Sequence, residues 1–378
     1  CLNRRIQLSK MKYSELIFKG TGLLKEKGIA APRLEAEVLL AFAWGRERTH
    51  LLIFSDDEVP GEVEDRFHDL LCQRSRGVPV AYLTGEKEFM SLGFYVNPDV
   101  LIPTELLVER VLEYLAGFPG EEPVPELERG TEIEVVNPGR GGGRVPEPET
   151  ELPPYFPAAC CQTPKNSYAG KRTAPLSAGG VVQTPLVADV GTGSGAVAVS
   201  LAYYNAHVRL VATDISPAAL QLAKRNARRH GVTERVEFLQ GDLLTPLLQQ
   251  GTTAYRIDMA DRPGIIPQRQ QRSIGIGTAV AANLPYIPTA DLQSLPLDVQ
   301  YEPLNALDGG EDGLDHYRRL IPQAAAFLAP KGLLACEVGI GQAELLAELL
   351  TKEGWTETEI IKDYAGKERI VTAKRGQA

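Results

Sequence analysis

The amino-acid sequence predicts an α/β protein in which a small helical domain precedes a largely parallel β-sheet flanked by helices. Residues 186–200, LVADVGTGSGAVAVS, have the pattern of a strand, a glycine-rich turn and a helix. Two further apolar runs, residues 208–214 and 235–242, each end in an acid, Asp214 and Asp242. Strands that alternate with helical segments in this way are typical of parallel sheets.

The predicted helical domain comprises residues 11–78. Its apolar residues recur at spacings of three and four, as on one face of an α-helix, and each run has a glycine near its end. These runs are residues 14–28, 32–45 and 61–77. We interpret their leucine and aromatic residues as a packed core.

A β-hairpin is predicted to follow the helical domain. Residues 79–103 alternate and turn as hairpins do, and the bend is predicted near Ser91 to Gly93. This hairpin is expected to link the helical domain to a second domain, residues 104–378. That domain is predicted to open with a helix over 104–115.

Two stretches are predicted to be flexible insertions in the second domain. Residues 119–185 contain 12 of the 27 prolines of the chain and three consecutive glycines, a composition that cannot bury enough apolar surface to order itself. Residues 251–277 are rich in Gln, Arg, Gly and Pro and have no clear period. The other predicted elements are strands over 278–282 and 332–338, helices over 317–327 and 342–354, and an antiparallel strand pair within 357–375.

The glycine-rich turn is the first candidate binding element. Gly191, Gly193 and Gly195 allow a sharp turn and a close approach of the backbone to a ligand. Asp189 lies in the apolar strand before them, and it requires a partner because an unpaired buried carboxylate is costly; the turn's own N–H groups or a ligand are the candidates. Asp214 ends the next strand, where doubly wound sheets hold ribose hydroxyls. A strand, a glycine-rich turn and then strands that end in an acid together predict an adenosine site. The simpler alternative is an ordinary strand-to-helix turn.

The sequence Asn-Leu-Pro-Tyr, residues 283–286, is the candidate catalytic element, and we call it the NLPY turn. It follows the predicted fourth strand, at the sheet edge where open α/β folds bind ligands. The Asn283 side-chain oxygen and the Leu284 carbonyl can each accept a hydrogen from a planar –NH2 group. Pro285 would stiffen the turn, and Tyr286 would offer a ring face. The alternative is a simple strand-ending turn, since Asn and Pro both favour turns.

Composition excludes several classes of function. A formal net charge of −9 argues against a protein that grips nucleic acid across a broad face. The five cysteines form no C-x-x-C pair, which indicates neither a zinc site nor a disulfide framework. No apolar run reaches the length of a membrane span. We therefore expect a cytoplasmic monomer with no metal, no membrane and no stable nucleic-acid partner.

With these motifs in place, the chain resembles the class I S-adenosylmethionine-dependent methyltransferases, and specifically the release-factor glutamine methyltransferase (PrmC/HemK) family. The resemblance covers nearly all of the chain outside the two insertions. The segments that carry it are residues 79–103, 189–202, 283–286, 298–321 and 333–342. The last two of these segments are the ones specific to this family, because many methyltransferases share the glycine-rich turn.

The resemblance implies a Rossmann-like, seven-stranded methyltransferase sheet, a helical N-terminal domain that recognises the substrate, and a linking β-hairpin. It implies that S-adenosylmethionine donates a methyl group to the amide nitrogen N5 of the glutamine in the Gly-Gly-Gln loop of class 1 peptide-chain release factors, which leaves S-adenosylhomocysteine. The cofactor-binding residues would be Asp189, Gly191, Thr192, Gly193, Ser194, Gly195, Asp214, Asp242, Leu243 and Asn283. The substrate-binding residues would be Asn283, Leu284, Pro285, Tyr286, Glu302 and Pro303, of which the first four would also be catalytic.

The sequence departs from the family pattern at two motifs. Leu284 stands where the family usually has Pro, and residues 102–109, IPTELLVE, are a shortened form of a family segment.

Two alternative functions are considered. An adenine-N6 methyltransferase of ribosomal RNA or DNA has the same NLPY motif, although the acidic charge and the residues flanking the motif favour glutamine. A catalytically impaired cofactor-binding module is the second, because the shortened segment and the insertions interrupt the family pattern.

Overall fold

A computed structural model describes residues 11–100, 105–117, 184–249 and 277–377. The first of these segments begins with five helices: α1 (Tyr13–Glu26), α2 (Pro32–Trp44), α3 (Arg48–Ile53), α4 (Gly61–Arg74) and α5 (Val80–Thr84). The three predicted helices are confirmed as α1, α2 and α4. The sequence did not predict α3 and α5, because six and five residues are too few to display a helical period.

The helices α1, α2 and α4 pack their apolar faces into one core. Leu16, Leu40 and Phe67 are each 0% exposed there, as the three- and four-residue spacing predicts. Full burial of a side chain of this size stabilises a fold by about 2 kcal/mol.

The predicted hairpin consists of β1 (Glu86–Phe89) and β2 (Leu92–Tyr95), paired antiparallel. Its bend lies at Met90 and Ser91, which both take left-handed φ values of 50° and 57°. The bend therefore lies near Ser91 to Gly93, as predicted: Ser91 is in it, and Gly93 follows in β2, where it pairs with Glu88.

The second part of the chain forms a mixed sheet of seven strands in the described residues. Its order is β5-β4-β3-β6-β7-β9-β8, in which β9 pairs antiparallel with both neighbours. The strands are β3 (Leu186–Val190), β4 (Arg209–Asp214), β5 (Val236–Gln240), β6 (Gly277–Ala282), β7 (Leu328–Glu337), β8 (Thr356–Lys362) and β9 (Glu368–Lys374). This is the predicted methyltransferase sheet, a parallel sheet closed by an antiparallel pair.

Helices cover both faces of this sheet. In β3, Val187 belongs to the apolar cluster on one face, whereas Ala188 belongs to the cluster on the other. The helices are α6 (Leu106–Ala116), α7 (Ala196–Tyr204), α8 (Pro217–Arg229), α9 (Thr245–Gln249), α10 (Leu304–Leu307), α11 (Asp315–Phe327) and α12 (Ala343–Lys352). None of the helices in the described residues has the length and apolar character needed to cross a membrane.

The strand order places a switch point between β3 and β6. From β3 the chain proceeds through β4 to β5 on one side, and β6 and β7 then add on the other side. Ligands of open α/β sheets bind in the crevice at such a point, outside the carboxyl ends of the strands. The glycine-rich turn follows β3 and the NLPY turn follows β6, so the fold brings the two predicted elements to this crevice.

The two predicted insertions lie almost wholly outside the described residues. Residues 119–183 and 251–276 are not described, nor are Ile102, Pro103 and Thr104 of the shortened segment. At the second insertion one boundary was wrong: Gly277 is the first residue of β6 and pairs with Leu328 of β7.

Contacts join the helical part of the chain to the loop that follows the NLPY turn. Arg74 is buried and forms an ion pair of 2.6 Å with Glu35, while its guanidinium also lies 3.9 Å from Asp298. Tyr301 Oη donates to the carbonyl of Arg76 at 3.3 Å. The helices are thereby held beside the residues that lead from the NLPY turn to Glu302.

Candidate active site

The glycine loop, residues 191–195, and the NLPY turn are in direct contact. Val190 and Ala282 are register partners at the ends of β3 and β6, so Gly191 and Asn283 leave the sheet side by side. Gly191 has a left-handed φ of 71°, and a Cβ at this position would lie 3.0 Å from Leu284 Cδ2. A side chain at Gly191 would therefore crowd Leu284 and would strain the backbone.

Asp189 lies beneath the glycine loop. Its side chain is 2% exposed, and its Oδ2 accepts hydrogen bonds from Thr192 Oγ1 at 2.6 Å and from the Ala198 N–H at 3.0 Å. Burial raises the pKa of Asp189 to about 6, and the two hydrogen bonds oppose that rise. The partner that the sequence required is therefore supplied by the loop and by the first turn of α7.

Asn226 of α8 ties the glycine loop to the hairpin. Its Nδ2 donates to the Ser194 carbonyl at 2.8 Å and to the Tyr95 carbonyl at 3.0 Å, and its Oδ1 accepts from the Tyr95 N–H at 2.9 Å. Asn226 is 0% exposed, so these bonds take the place of the hydrogen bonds to water that its amide loses on burial. No local pattern indicates this role, because Asn226 and Tyr95 are 131 residues apart in the sequence.

Asp214 is at the end of β4, as predicted, and it faces the glycine loop. The Gly193 N–H donates to its Oδ2 at 2.9 Å, and the Ser216 N–H donates to its Oδ1 at 2.8 Å. Burial raises the pKa of Asp214, while these backbone bonds lower it. The next residue, Ile215, is 64% exposed and places an apolar side chain at the same edge of the sheet.

Asp242 and Leu243 follow β5 at this edge. Arg319 of α11 contacts the Asp242 carboxylate in an ion pair. Leu243 takes a left-handed φ of 50°, and Gln323 of α11 accepts a hydrogen bond of 2.9 Å from the Leu244 N–H. The turn after β5 is therefore strained and is held in place by two side chains of α11.

Asn283 carries an unsatisfied acceptor at the crevice. Its Oδ1 is buried and has no hydrogen-bond partner in the described residues. Leaving such an atom unpaired costs about 1–3 kcal/mol, so structures retain it mainly where a ligand or water can supply the donor. The side chain of Leu284 lies in the core and is 4% exposed.

Tyr286 is fixed at its hydroxyl. Arg369 of β9 donates to Tyr286 Oη at 3.2 Å and to Glu337 Oε1 at 3.1 Å, and its guanidinium carbon lies 5.6 Å from the centre of the Tyr286 ring. Burial raises the pKa of Tyr286, and the charge of Glu337 raises it further. Both effects favour the neutral form of the phenol.

Glu302 lies between the helical part of the chain and the NLPY turn. Burial raises the pKa of Tyr82 in α5 and that of Tyr286, and the charge of Glu302 raises both further. Pro303 immediately precedes α10. The end of α10 returns to the NLPY turn, because the Leu307 carbonyl accepts from the Ile287 N–H at 3.0 Å.

The two cysteines in the described residues differ in burial. Cys336 is buried in β7, and burial raises the pKa of its thiol. Cys72 of α4 forms no disulfide and is partly exposed. Within the described ranges no three His, Cys, Asp or Glu side chains group as metal ligands would.

Known proteins similar to this chain show its family. The PrmC N-terminal domain family matches residues 15–85, and a methyltransferase domain family matches residues 186–270. The release factor glutamine methyltransferase of Moorella thermoacetica is 38% identical over 352 residues, which are 92% of this chain and 93% of that protein. The chain belongs to the release factor glutamine methyltransferase family.

Other members of the release factor glutamine methyltransferase family match over similar lengths. The protein of Geobacter sulfurreducens is 33% identical over 94% of this chain and 94% of its own length. Among solved structures, a methyltransferase from Pyrococcus furiosus covers 52% of this chain and 78% of its own, with a TM-score of 0.34 and 17% identity. That structural similarity is too low to inform function, so the assignment stands on the curated relatives.

Proposed function

We propose that this chain transfers a methyl group from S-adenosylmethionine to the side-chain amide nitrogen of the glutamine in the Gly-Gly-Gln loop of class 1 release factors. The observation that carries the proposal is the buried, unpaired Asn283 Oδ1 beside the glycine loop. A substrate carboxamide supplies the N–H donor that this atom lacks. The relatives are named for this substrate, and they match more than nine tenths of the chain.

Residues at the crevice between β3 and β6 would bind S-adenosylmethionine. A carboxylate has about four acceptor positions, so Asp214 retains capacity for a ribose hydroxyl beside its backbone donors. The glycine loop would hold the methionine part, and Ile215, Asp242 and Leu243 would surround the adenine. Asp189 would act through Thr192, by holding the loop in shape. When bound, S-adenosylmethionine supplies a methyl group activated on a sulfonium.

The NLPY turn would orient the substrate nitrogen. An amide nitrogen is a poor nucleophile, because its lone pair is delocalised into the carbonyl. Asn283 Oδ1 and the Leu284 carbonyl would each accept one N–H, which fixes the direction of the nitrogen and favours the positive charge that grows on it. The nitrogen would form its bond to the methyl carbon as the bond from that carbon to the sulfonium sulfur breaks, which leaves S-adenosylhomocysteine. The nitrogen would then lose one N–H proton to solvent. Tyr286 is neutral, so its ring would serve as a platform for the planar amide.

The adenine alternative is not favoured. An exocyclic adenine amine would satisfy Asn283 equally well, but a flipped base arrives with its phosphates and needs a basic surface. The loop that follows the NLPY turn instead carries an acid, Glu302, whose charge acts on Tyr286. We further propose that the enzyme works in the cytoplasm as a monomer without a metal.

The test compares the two substrates. Labelled S-adenosylmethionine and the protein are incubated in two parallel reactions, one with a class 1 release factor and one with ribosomal RNA. We expect label on the release factor only. Label on RNA alone would replace the proposal by the adenine alternative. Measurable cofactor binding with no label on either substrate would indicate the impaired module.

A further inference from the structure

Gln342, which immediately precedes α12, joins three separate loops at the NLPY turn. Its Nε2 donates to the Tyr286 carbonyl at 2.7 Å and to the Asp312 carbonyl at 3.0 Å, and its Oε1 accepts from the Gly339 N–H at 2.9 Å. The side chain is 7% exposed. A carboxamide has two donors and an acceptor, so no other side chain of this length can make all three bonds.

The surrounding backbone leaves room for this amide. A Cβ at Gly313 would lie 2.1 Å from Gln342 Nε2 and 2.2 Å from the Tyr286 carbonyl oxygen, and Gly313 has a left-handed φ of 79°. Only glycine fits there. The three loops thus converge on one buried amide, a packed polar network of the kind that fixes a single conformation.

Arg369 holds the other end of the same tyrosine. It bridges Tyr286 Oη and the Glu337 carboxylate, and Glu337 is 1% exposed. Gln342 therefore fixes the main chain of Tyr286, and Arg369 fixes its phenol. With Pro285 restricting the backbone just before it, the turn has little freedom to move Asn283 Oδ1 or the Leu284 carbonyl.

We propose that Gln342 and Arg369 are positioning residues for methyl transfer, which hold the NLPY turn so that Asn283 Oδ1 faces the substrate nitrogen. This inference rests on the proposed methylation of glutamine. Neither residue touches the substrate in this account, and each acts through Tyr286. Displacement of a reacting group by about 1 Å can lower a rate about 100-fold, so loss of the Gln342 bonds is expected to act on kcat.

The experiment uses the full chain with Gln342→Glu, which keeps the shape of the side chain but replaces both donors by acceptors. We expect kcat for the release factor to fall about 100-fold, while KM for the release factor and Kd for S-adenosylmethionine stay within threefold. Gln221→Glu, at an exposed position of α8, is the matched control for the added charge and is expected to have wild-type kcat. If Gln342→Glu does not fold, Gln342→Ala replaces it in the same assay.

A double-mutant cycle separates positioning from general loss of structure. If Gln342 acts through Asn283, its substitution costs little further rate in an Asn283→Ala background, whereas independent effects would multiply. Multiplying effects, wild-type kcat, or a parallel loss of cofactor affinity would each overturn the inference and leave the proposed function intact. If the wild-type protein methylates no release factor, both the proposed function and this inference fail.

Discussion

Thr192 Oγ1 lies 2.6 Å from Asp189 Oδ2, in a hydrogen bond between the glycine loop and the strand below it. The Asp189 carboxylate is buried, and its pKa is raised from 3.8 to about 6. The glycine loop is therefore held by the Asp189 carboxyl group, whose ionisation is made less favourable by burial. Two properties follow: the shape of the loop depends on Asp189, and the stability of the protein depends on its protonation.

The first prediction concerns pH. Because the folded pKa of Asp189 lies above the unfolded value, its contribution to stability is fully present below pH 4 and is lost as pH rises through 6, by about 3 kcal/mol. Asp189→Asn keeps an acceptor for Thr192 and removes the titration. Urea unfolding from pH 4.5 to 8 is expected to show wild type losing stability relative to this variant. Parallel curves for the two proteins would refute the assignment.

The second prediction concerns Asp214. Asp214→Ala is expected to weaken S-adenosylmethionine binding about 10- to 100-fold, because a hydrogen bond to a charged group contributes about 1.5–3 kcal/mol. At saturating cofactor, kcat is expected to change little. Isothermal titration gives the affinity, and Asp291→Ala, at an exposed position beyond the NLPY turn, is the control. Unchanged affinity would remove Asp214 from the cofactor site.

The third prediction concerns the second contact of Tyr286. Arg369 uses one nitrogen, Nη2, for both of its partners, Tyr286 and Glu337. Arg369→Lys keeps a positive charge beside Glu337, but its shorter side chain and compact ammonium change the position of that donor. We expect kcat for the release factor to fall about 10-fold, a smaller loss than the about 100-fold expected when a reacting group is misplaced. The control is Arg375→Lys, just beyond β9, which changes an arginine whose guanidinium donates to the Leu328 carbonyl. Equal kcat values for the two variants would contradict the role of Arg369.

The fourth prediction concerns stability of the helical part. Arg74 and Arg33 each pair with a glutamate, but the Arg74 side chain is 5% exposed and that of Arg33 is 75% exposed. Arg74→Ala leaves a carboxylate and two carbonyls without their donor, so it is expected to cost about 3–5 kcal/mol. Arg33→Ala is expected to cost less than about 1 kcal/mol. Urea unfolding distinguishes them, and equal losses would show that burial of the pair does not matter.

Much of the fold could be predicted because its signals are local. The helical periodicity of α1, α2 and α4, and the short apolar runs that end in Asp214 or Asn283, each lie within one segment of sequence. Parallel strands end at a common edge, so the meeting of the glycine loop and the NLPY turn also followed from the strand order.

The support around the site could not be predicted, because it depends on contacts between distant residues. Gln342 reaches Tyr286 over 56 residues and Arg369 reaches it over 83. The resemblance drew attention to residues 333–342 without assigning Gln342 a role. Nothing in the sequence indicated the left-handed backbone at Met90 and Leu243 either, since neither residue type favours that conformation.

The most direct test of the account is to map the labelled methyl on a release factor after incubation with wild type and with Asn283→Ala. The account predicts wild-type label on the amide nitrogen of the Gly-Gly-Gln glutamine. In the variant, label is expected to fall at least about 100-fold, while cofactor affinity stays within a few fold. Asn205→Ala, at the end of α7, is the control. Wild-type turnover by Asn283→Ala, or label on any other atom, would contradict the account.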